Sequence, residues 1–253
     1  MGGEYTLLVL ASGMATRLRP VLLRGEKHLI PAGGEPLIAR TARVLEKVLG
    51  GAVNLVVVVR SENYDLYRTA LSKFISGEVL HIVRNPLAKS SNSSYTMALG
   101  LKHIRDSGLS RDVIVMNGDV VLLDGKPGVR APNTVSVMAS YNYDKEHFMR
   151  VYVEGGRVKY VGLDIPPSIA SAAMLGLYIP GEYFNYFSKE FCRFVKVTGE
   201  VGWFEHLLNT MIISGLDIGV WPIGDNVIWW EIDELSDYIA ATLLNNMLSY
   251  VSK

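Results

Sequence analysis

Apolar runs and helix-spaced apolar positions alternate along the first half of the chain. Tyr5–Ala11 is apolar except at Thr6, a pattern that predicts a buried strand. From Pro36 to Leu49, the residues Leu37, Ile38, Ala42, Leu45 and Val48 recur near helical spacing, and Gly50 with Gly51 supplies the stop. Leu55–Val59 reads as a second strand, Tyr64–Ile75 as a helix, Val79–Val83 as a strand and Ser94–Ile104 as a helix. Val113–Met116 is then a strand that ends at Asn117, Gly118 and Asp119. These rounds of strand, helix, strand predict a parallel sheet with helices on both faces.

After Asp124 the pattern shortens to strand-like pieces at Thr134–Tyr141, Arg150–Val153, Arg157–Val161 and Met174–Ile179, the middle two joined as a hairpin through Glu154, Gly155 and Gly156. A helix near Trp203–Ser214, a strand Asp217–Pro222 and a closing helix Ser236–Tyr250 complete the reading. The expected fold class is α/β: a Rossmann-like, mostly parallel central sheet with an antiparallel β extension. No repeat or long linker divides the chain, so residues 1–253 read as a single domain. Its nucleotide-binding half is 1–124, its acceptor half with a β insertion is 125–235, and 236–253 is a C-terminal helix. Ligands in such sheets bind beyond the carboxyl ends of the strands.

At 253 residues, 49% hydrophobic and 20% charged, the chain can bury a full core without staples. Lys+Arg 25 against Asp+Glu 25 leaves a formal net charge of +0, without the electrostatic footprint of a nucleic-acid partner. Cys192 has no partner for an internal disulfide, and no apolar run is long enough for a membrane span. Tyr5–Ala11 is not a signal-peptide core, because no basic region precedes it and it runs directly into Gly13, Thr16, Arg17 and Arg19. The expectation is a cytoplasmic protein.

Three segments carry candidate chemistry. The first is Leu10, Ala11, Ser12, Gly13, Met14, Ala15, Thr16 and Arg17, directly after the first strand, with Lys27 further on. A small-residue loop brings backbone N–H groups close to a phosphate, and Arg17 and Lys27 can neutralise triphosphate charge. It is neither of the two standard phosphate cradles, GxxxxGK[ST] and GxGxxG. The second is Asp119, a strand-end carboxylate of the type a hard cation such as Mg2+ takes together with phosphate oxygen. The third is Trp229 to Asp233, where Asp233 could complete a two-carboxylate metal site and Ser236 or Asp237 could cap the helix that follows. Taken singly, Asp119 reads equally as a turn cap, and Glu231 and Asp233 as helix-start acids.

The order of Gly13, Thr16, Arg17, Leu18, Pro20, Lys27, Gly34, Pro36 and Leu37 resembles the opening signature of the sugar-nucleotide transferase-like nucleotidyltransferase superfamily, G-x-G-[ST]-R-L-x-P, then Lys, then G-x-P-[LM]. Ala15 stands where a second glycine is usual, and His28 where a proline is common. Further segments resemble the phosphocholine cytidylyltransferase-like branch and, more distantly, inositol-1-phosphate cytidylyltransferases. They are Asn85 and Pro86 followed by Asn92, Tyr95, Thr96 and Met97; Asn117 to Val120; Met149 to Val151 with Gly155 to Val158; Trp203 to Glu205; and Trp229 to Asp233.

The resemblance implies a nucleotide-diphospho-sugar transferase-like fold and a Mg2+-dependent nucleotidyltransferase that joins a nucleoside triphosphate, CTP favoured, to a small phosphorylated acceptor. It implies that residues 10–17, Lys27, Asn92, Thr96 and Gly118 meet the nucleotide, that Asp119 and Asp233 bind the metal, and that Arg17, Lys27, Asp119 and Asp233 are catalytic. Arg150, Glu205, Trp229 and Glu231 fall on the acceptor side. Asn92 and Thr96 read equally as a helix cap and a helix residue. Leu163 replaces a lysine and Ala173 an acid that the branch often carries, so the nucleotide half matches better than the acceptor half. Two other readings stay open: a sugar-1-phosphate nucleotidyltransferase using UTP, dTTP or GTP, and a nucleotide-binding regulatory protein without transfer. The four tryptophans admit an aromatic cage for a quaternary ammonium, with at most one of Trp229 and Trp230 facing a pocket. Within a homo-oligomer, Tyr178–Phe194 could be interface as readily as core.

Overall fold

The computed structural model describes residues 4–14, 18, 26–32, 34–77, 79–143, 148–198 and 201–251. β1 (Tyr5–Ala11) is followed by two short strands, β2 (Pro31–Ala32) and β3 (Glu35–Pro36), and by α1 (Leu37–Leu49). Gly50 closes α1 at φ +71°, a left-handed conformation open to glycine, and its N–H caps the carbonyl of Glu46. β4 (Val53–Arg60), α2 (Tyr64–Leu71), β5 (Leu80–Asn85), α3 (Ser93–Ser107) and β6 (Val113–Asn117) continue the alternation. The second half holds β7 (Val120–Gly125), β8 (Ser136–Ser140), β9 (Arg150–Glu154), β10 (Arg157–Gly162) and β11 (Ala172–Ile179). It continues with α4 (Gly181–Thr198), α5 (Phe204–Ile213), β12 (Gly219–Trp221), β13 (Val227–Glu231) and α6 (Leu235–Val251).

The main sheet has the order β5-β4-β1-β6-β11-β8-β12-β10-β9. β5, β4, β1 and β6 are parallel, and β11 joins β6 antiparallel to begin the extension. β9 returns to pair with the start of β11, Arg150 opposite Ala173. β7 and β13 form a separate antiparallel ribbon.

The period-two alternation of β1 divides its side chains between two cores. Leu8 and Leu10 pack with α3, α4 and α5, whereas Leu7, Val9 and Ala11 pack with α1 and α2. A third cluster, with Leu18, Leu37, Val121, Leu123 and Ile232, lies beneath the ribbon. Residues 178–194 end β11 and form most of α4, whose Phe184, Phe187 and Phe191 are buried in the first core. No helix among the described residues is long and apolar enough to cross a membrane.

Candidate active site

Counting only the parallel strands, the spatial order is third, second, first, fourth, so the winding reverses between β1 and β6. That reversal opens a crevice beyond the carboxyl ends of the two strands. β1 delivers Ser12, Gly13 and Met14 there, and β6 delivers Asn117, Gly118 and Asp119. The Gly118 N–H donates to the Leu10 carbonyl at 3.1 Å and ties the two strand ends together. A Cβ at Gly118 would stand 2.5 Å from the His28 ring and 3.0 Å from the Leu10 oxygen, so the closeness of these segments requires glycine. Leu10 and Ala11 send their side chains into opposite cores, which leaves their backbone to face a ligand. Gly13 and Met14 are exposed, and the expected contributors Ala15, Thr16 and Arg17 lie outside the described residues.

A buried hydroxyl and amide cluster anchors the start of the loop. Ser12 Oγ and Thr96 Oγ1 are 2.6 Å apart, and Asn85 Nδ2 donates to Ser12, Ser91 and Thr96 at 3.2–3.3 Å. Thr96 is buried and binds the carbonyl of Asn92, so it fastens α3 to the end of β1. Asn92 is the N-cap of α3, its side-chain oxygen accepting the Ser93 N–H at 3.0 Å.

The β7–β13 ladder joins two distant carboxylates. Glu231 pairs with Val120, and the Ile232 N–H donates to the Asp119 carbonyl at 2.9 Å, which brings Asp233 beside Asp119. Asp237, in the first turn of α6, accepts the Asp233 and Glu234 N–H groups at 3.1 and 2.9 Å and fixes the chain there. Between the two acids stands Lys27, whose Nζ lies 3.0 Å from Asp119 Oδ2 and 3.4 Å from Asp233 Oδ1. It also donates to the Ile232 carbonyl at 3.3 Å.

Burial works against the Lys27 charge, but Asp119 and Asp233 outweigh it and hold the ammonium above the ordinary lysine value. Burial likewise opposes the Asp119 charge. The Lys27 charge and hydrogen bond, with a weaker backbone hydrogen bond, prevail and keep that carboxyl below its usual range. Asp119 Oδ1 is buried with no hydrogen-bond partner. Two carboxylates converging on one cation, with one oxygen left over, fit a hard divalent cation. Among the described residues no cluster of three or more His, Cys, Asp or Glu gathers as a metal site.

Behind Lys27 lies a network that sequence reasoning missed. His28 Nδ1 is 2.6 Å from Tyr67 Oη, Tyr67 donates to Glu26 Oε2 at 3.4 Å, and Asn63 and Arg60 donate to Glu26 Oε1. Burial first, then the Lys27 charge, push the His28 pKa down to about 3, so the imidazole is neutral. The one signal for it in the chain is the placing of His28 directly after Lys27, on the turn that points one side chain at the carboxylates and the next into the core.

On the acceptor side the structure disperses the candidates. Glu205, in the first turn of α5, is buried, hydrogen-bonded with Asn117, and pushed up to about 7 chiefly by desolvation. Arg150 is buried, with Nη1 donating to the Leu163 and Ile165 carbonyls at 2.8 and 2.9 Å, so its guanidinium holds a turn. Trp229 is half-buried against Phe148, ring centroids 4.9 Å apart, while Trp230 packs on the third core. Glu231 closes β13 on the ladder.

Residues 7–130 match the family of MobA-like NTP transferase domains, and both Lys27 and Asp119 fall within that stretch. That stretch is 124 of the 253 residues and takes in the β1–β6 crevice. A curated relative, the CMP-5'-(3-aminopropyl)phosphonate synthase of Streptomyces rubellomurinus, is 26% identical over 91% of this chain and 37% of its own length. The chain therefore spans well under half of that relative. Among solved structures, the CTP:phosphocholine cytidylyltransferase of Streptococcus pneumoniae superposes with a TM-score of 0.71 at 20% identity, covering 95% of this chain and 99% of the other. The inositol-1-phosphate CTP transferase of T. maritima gives 0.70 at 20% identity over 94% and 93%. The fold of the chain is that of the nucleotide-diphospho-sugar transferases.

Proposed function

We propose that this protein is a Mg2+-dependent nucleotidyltransferase, a cytidylyltransferase that joins CTP to a small phosphomonoester or phosphonate and releases pyrophosphate in the cytoplasm. The observation that carries the reading is the convergence of Asp119 and Asp233 on the Lys27 ammonium at the mouth of the β1–β6 crevice. CTP is favoured because relatives named for CTP or for a CMP product align over nearly the whole chain. Their names also give phosphocholine, inositol-1-phosphate and a phosphonate, which supports an acceptor of that class.

In this mechanism an oxygen of the acceptor's phosphorus group attacks the α-phosphorus of the triphosphate in line. The new P–O bond forms as the bond to the bridging β-oxygen breaks, and pyrophosphate leaves with the electron pair. The acceptor is anionic near neutral pH, so no residue is assigned as general base. Asp119 and Asp233 would hold Mg2+, which when bound neutralises charge on the phosphate oxygens. Lys27 and Arg17 would bind the triphosphate and offset charge as it moves onto the leaving group. The backbone after β1 would line the nucleotide, with Ser12 held in place by Asn85 and Thr96.

The test is pyrophosphate release with Mg2+, each nucleoside triphosphate set against phosphocholine, 3-aminopropylphosphonate, inositol-1-phosphate, glycerol phosphate and hexose-1-phosphates. Release with CTP and a non-sugar acceptor is expected, lost in Asp119→Ala. Release only with UTP, dTTP or GTP and a hexose-1-phosphate would move the protein to the sugar-nucleotide reaction. Nucleotide binding without release from any pair would favour the regulatory reading.

A further inference from the structure

We infer that Lys27 is a resident counter-ion that holds the place of the divalent cation until a triphosphate arrives, so that metal and nucleotide enter the site only together. The inference rests on the metal-dependent reading above and concerns how the site is loaded.

An ammonium has three donors, and Lys27 finds three oxygens for them: Asp119 Oδ2, Asp233 Oδ1 and the Ile232 carbonyl. Only about 10% of its side chain is exposed, so water cannot replace these partners in place. The oxygens that satisfy it include the carboxylate oxygens a hard cation would take. Two positive centres cannot share them, because like charges a few ångströms apart in a partly buried site repel strongly. A metal ion alone would therefore have to expel Lys27 from its three oxygen partners with nothing supplied to replace them, which is the costly way to break a buried pair.

A triphosphate changes both sides of this exchange. It gives the flexible lysine stem a polyanion to follow, and it brings oxygens that complete the coordination of an ion left to Asp119 and Asp233. A triphosphate alone would draw Lys27 away and leave two carboxylates facing a third anion. Each ligand thus relieves the penalty of the other, which is positive coupling between metal and nucleotide.

The experiment titrates Mn2+ into the full chain without nucleotide and follows free Mn2+ by electron paramagnetic resonance. It compares wild type, Lys27→Met, Lys27→Arg and the double variant Lys27→Met with Asp119→Asn. Removing the charge should tighten Mn2+ binding at least about tenfold. Lys27→Arg should bind as weakly as wild type, and the double variant should lose the gain. Equal affinity in wild type and Lys27→Met, both dependent on Asp119, would overturn the exchange and leave the metal reading standing. Absence of Mn2+ binding in folded Lys27→Met would overturn both. Because Lys27→Met could misfold with two uncompensated acids, wild-type crystals soaked in Mn2+ alone and in Mn2+ with CTP give an independent arm. An anomalous peak between Asp119 and Asp233 should appear only in the second soak, with Lys27 Nζ withdrawn. A peak in the first soak would overturn the proposal.

Discussion

The two halves of the molecule use their buried polar side chains in opposite ways. In the parallel half the ladder satisfies the backbone up to the strand ends, so Lys27 and Asp119 meet at a crevice and the groups behind them, Glu26, Arg60, Tyr67 and His28, bind one another. In the antiparallel extension the strands end in irregular turns, and polar side chains serve the peptide groups left over. Arg150 takes the Leu163 and Ile165 carbonyls, and Asn209 binds both the N–H and the carbonyl of Val161. A charged residue in the first half is thus a better guide to chemistry than one in the second.

The largest expected effect tests the first half. Asp119→Ala should lower the rate of pyrophosphate release about a thousandfold in protein that still folds, though less stable for the loss of one partner of the buried Lys27 ammonium. A turnover loss under threefold would remove the crevice from the reaction. Arg150→Met should do the reverse, costing about 3 kcal/mol in denaturant unfolding while leaving the KM of the acceptor unchanged. A raised acceptor KM at unchanged stability would return Arg150 to the substrate and erase the contrast between the halves.

Gly118→Ala probes the link between strand ends. Its Cβ would meet the His28 ring and the Leu10 carbonyl, so a loss of about 1–3 kcal/mol is expected, along with lower turnover because Asp119 is the next residue. Unchanged melting and turnover would show that the two segments separate freely.

The smallest effects are pH-dependent and opposite in sign. Glu205 is raised from an ordinary 4.5 to about 7, so the folded state holds its proton more tightly. Its contribution to stability is complete below pH 4.5 and is lost as pH rises through 7. His28 is lowered from 6.5 to about 3, so its contribution is present above pH 6.5 and is lost as pH falls towards 3. Thermal melts of Glu205→Gln across pH 4.5–7 should lack the decline that wild type shows relative to it. A wild-type difference that does not change with pH would place Glu205 in water.

Most of the fold was legible because β strands and amphipathic helices leave local periods. Tyr5–Ala11, Leu37–Leu49 and Val113–Asn117 appear within a residue of their expected ends. The helix Gly181–Thr198 was not recognised, although Phe184, Phe187 and Phe191 recur at helical spacing, because its aromatic residues read as interface as readily as core. β7 escaped because its apolar run follows Asp119, which reads as the end of a strand rather than the turn between two. Of the candidate site, Lys27, Asp119 and Asp233 were named from residue type and resemblance, and the partners of Arg150 were not, since a turn carbonyl leaves no mark in a sequence.

The sequence by itself determined which elements form and which ionisable side chains stand at their ends, because periodicity, turn residues and strand-end carboxylates are local properties. Only the tertiary structure decided that one ammonium satisfies two acids, 92 and 206 positions away from it along the chain. That choice depends on the winding reversal between β1 and β6 and on the β7–β13 ladder, which set the distance and the desolvation that any pairing of charges must obey.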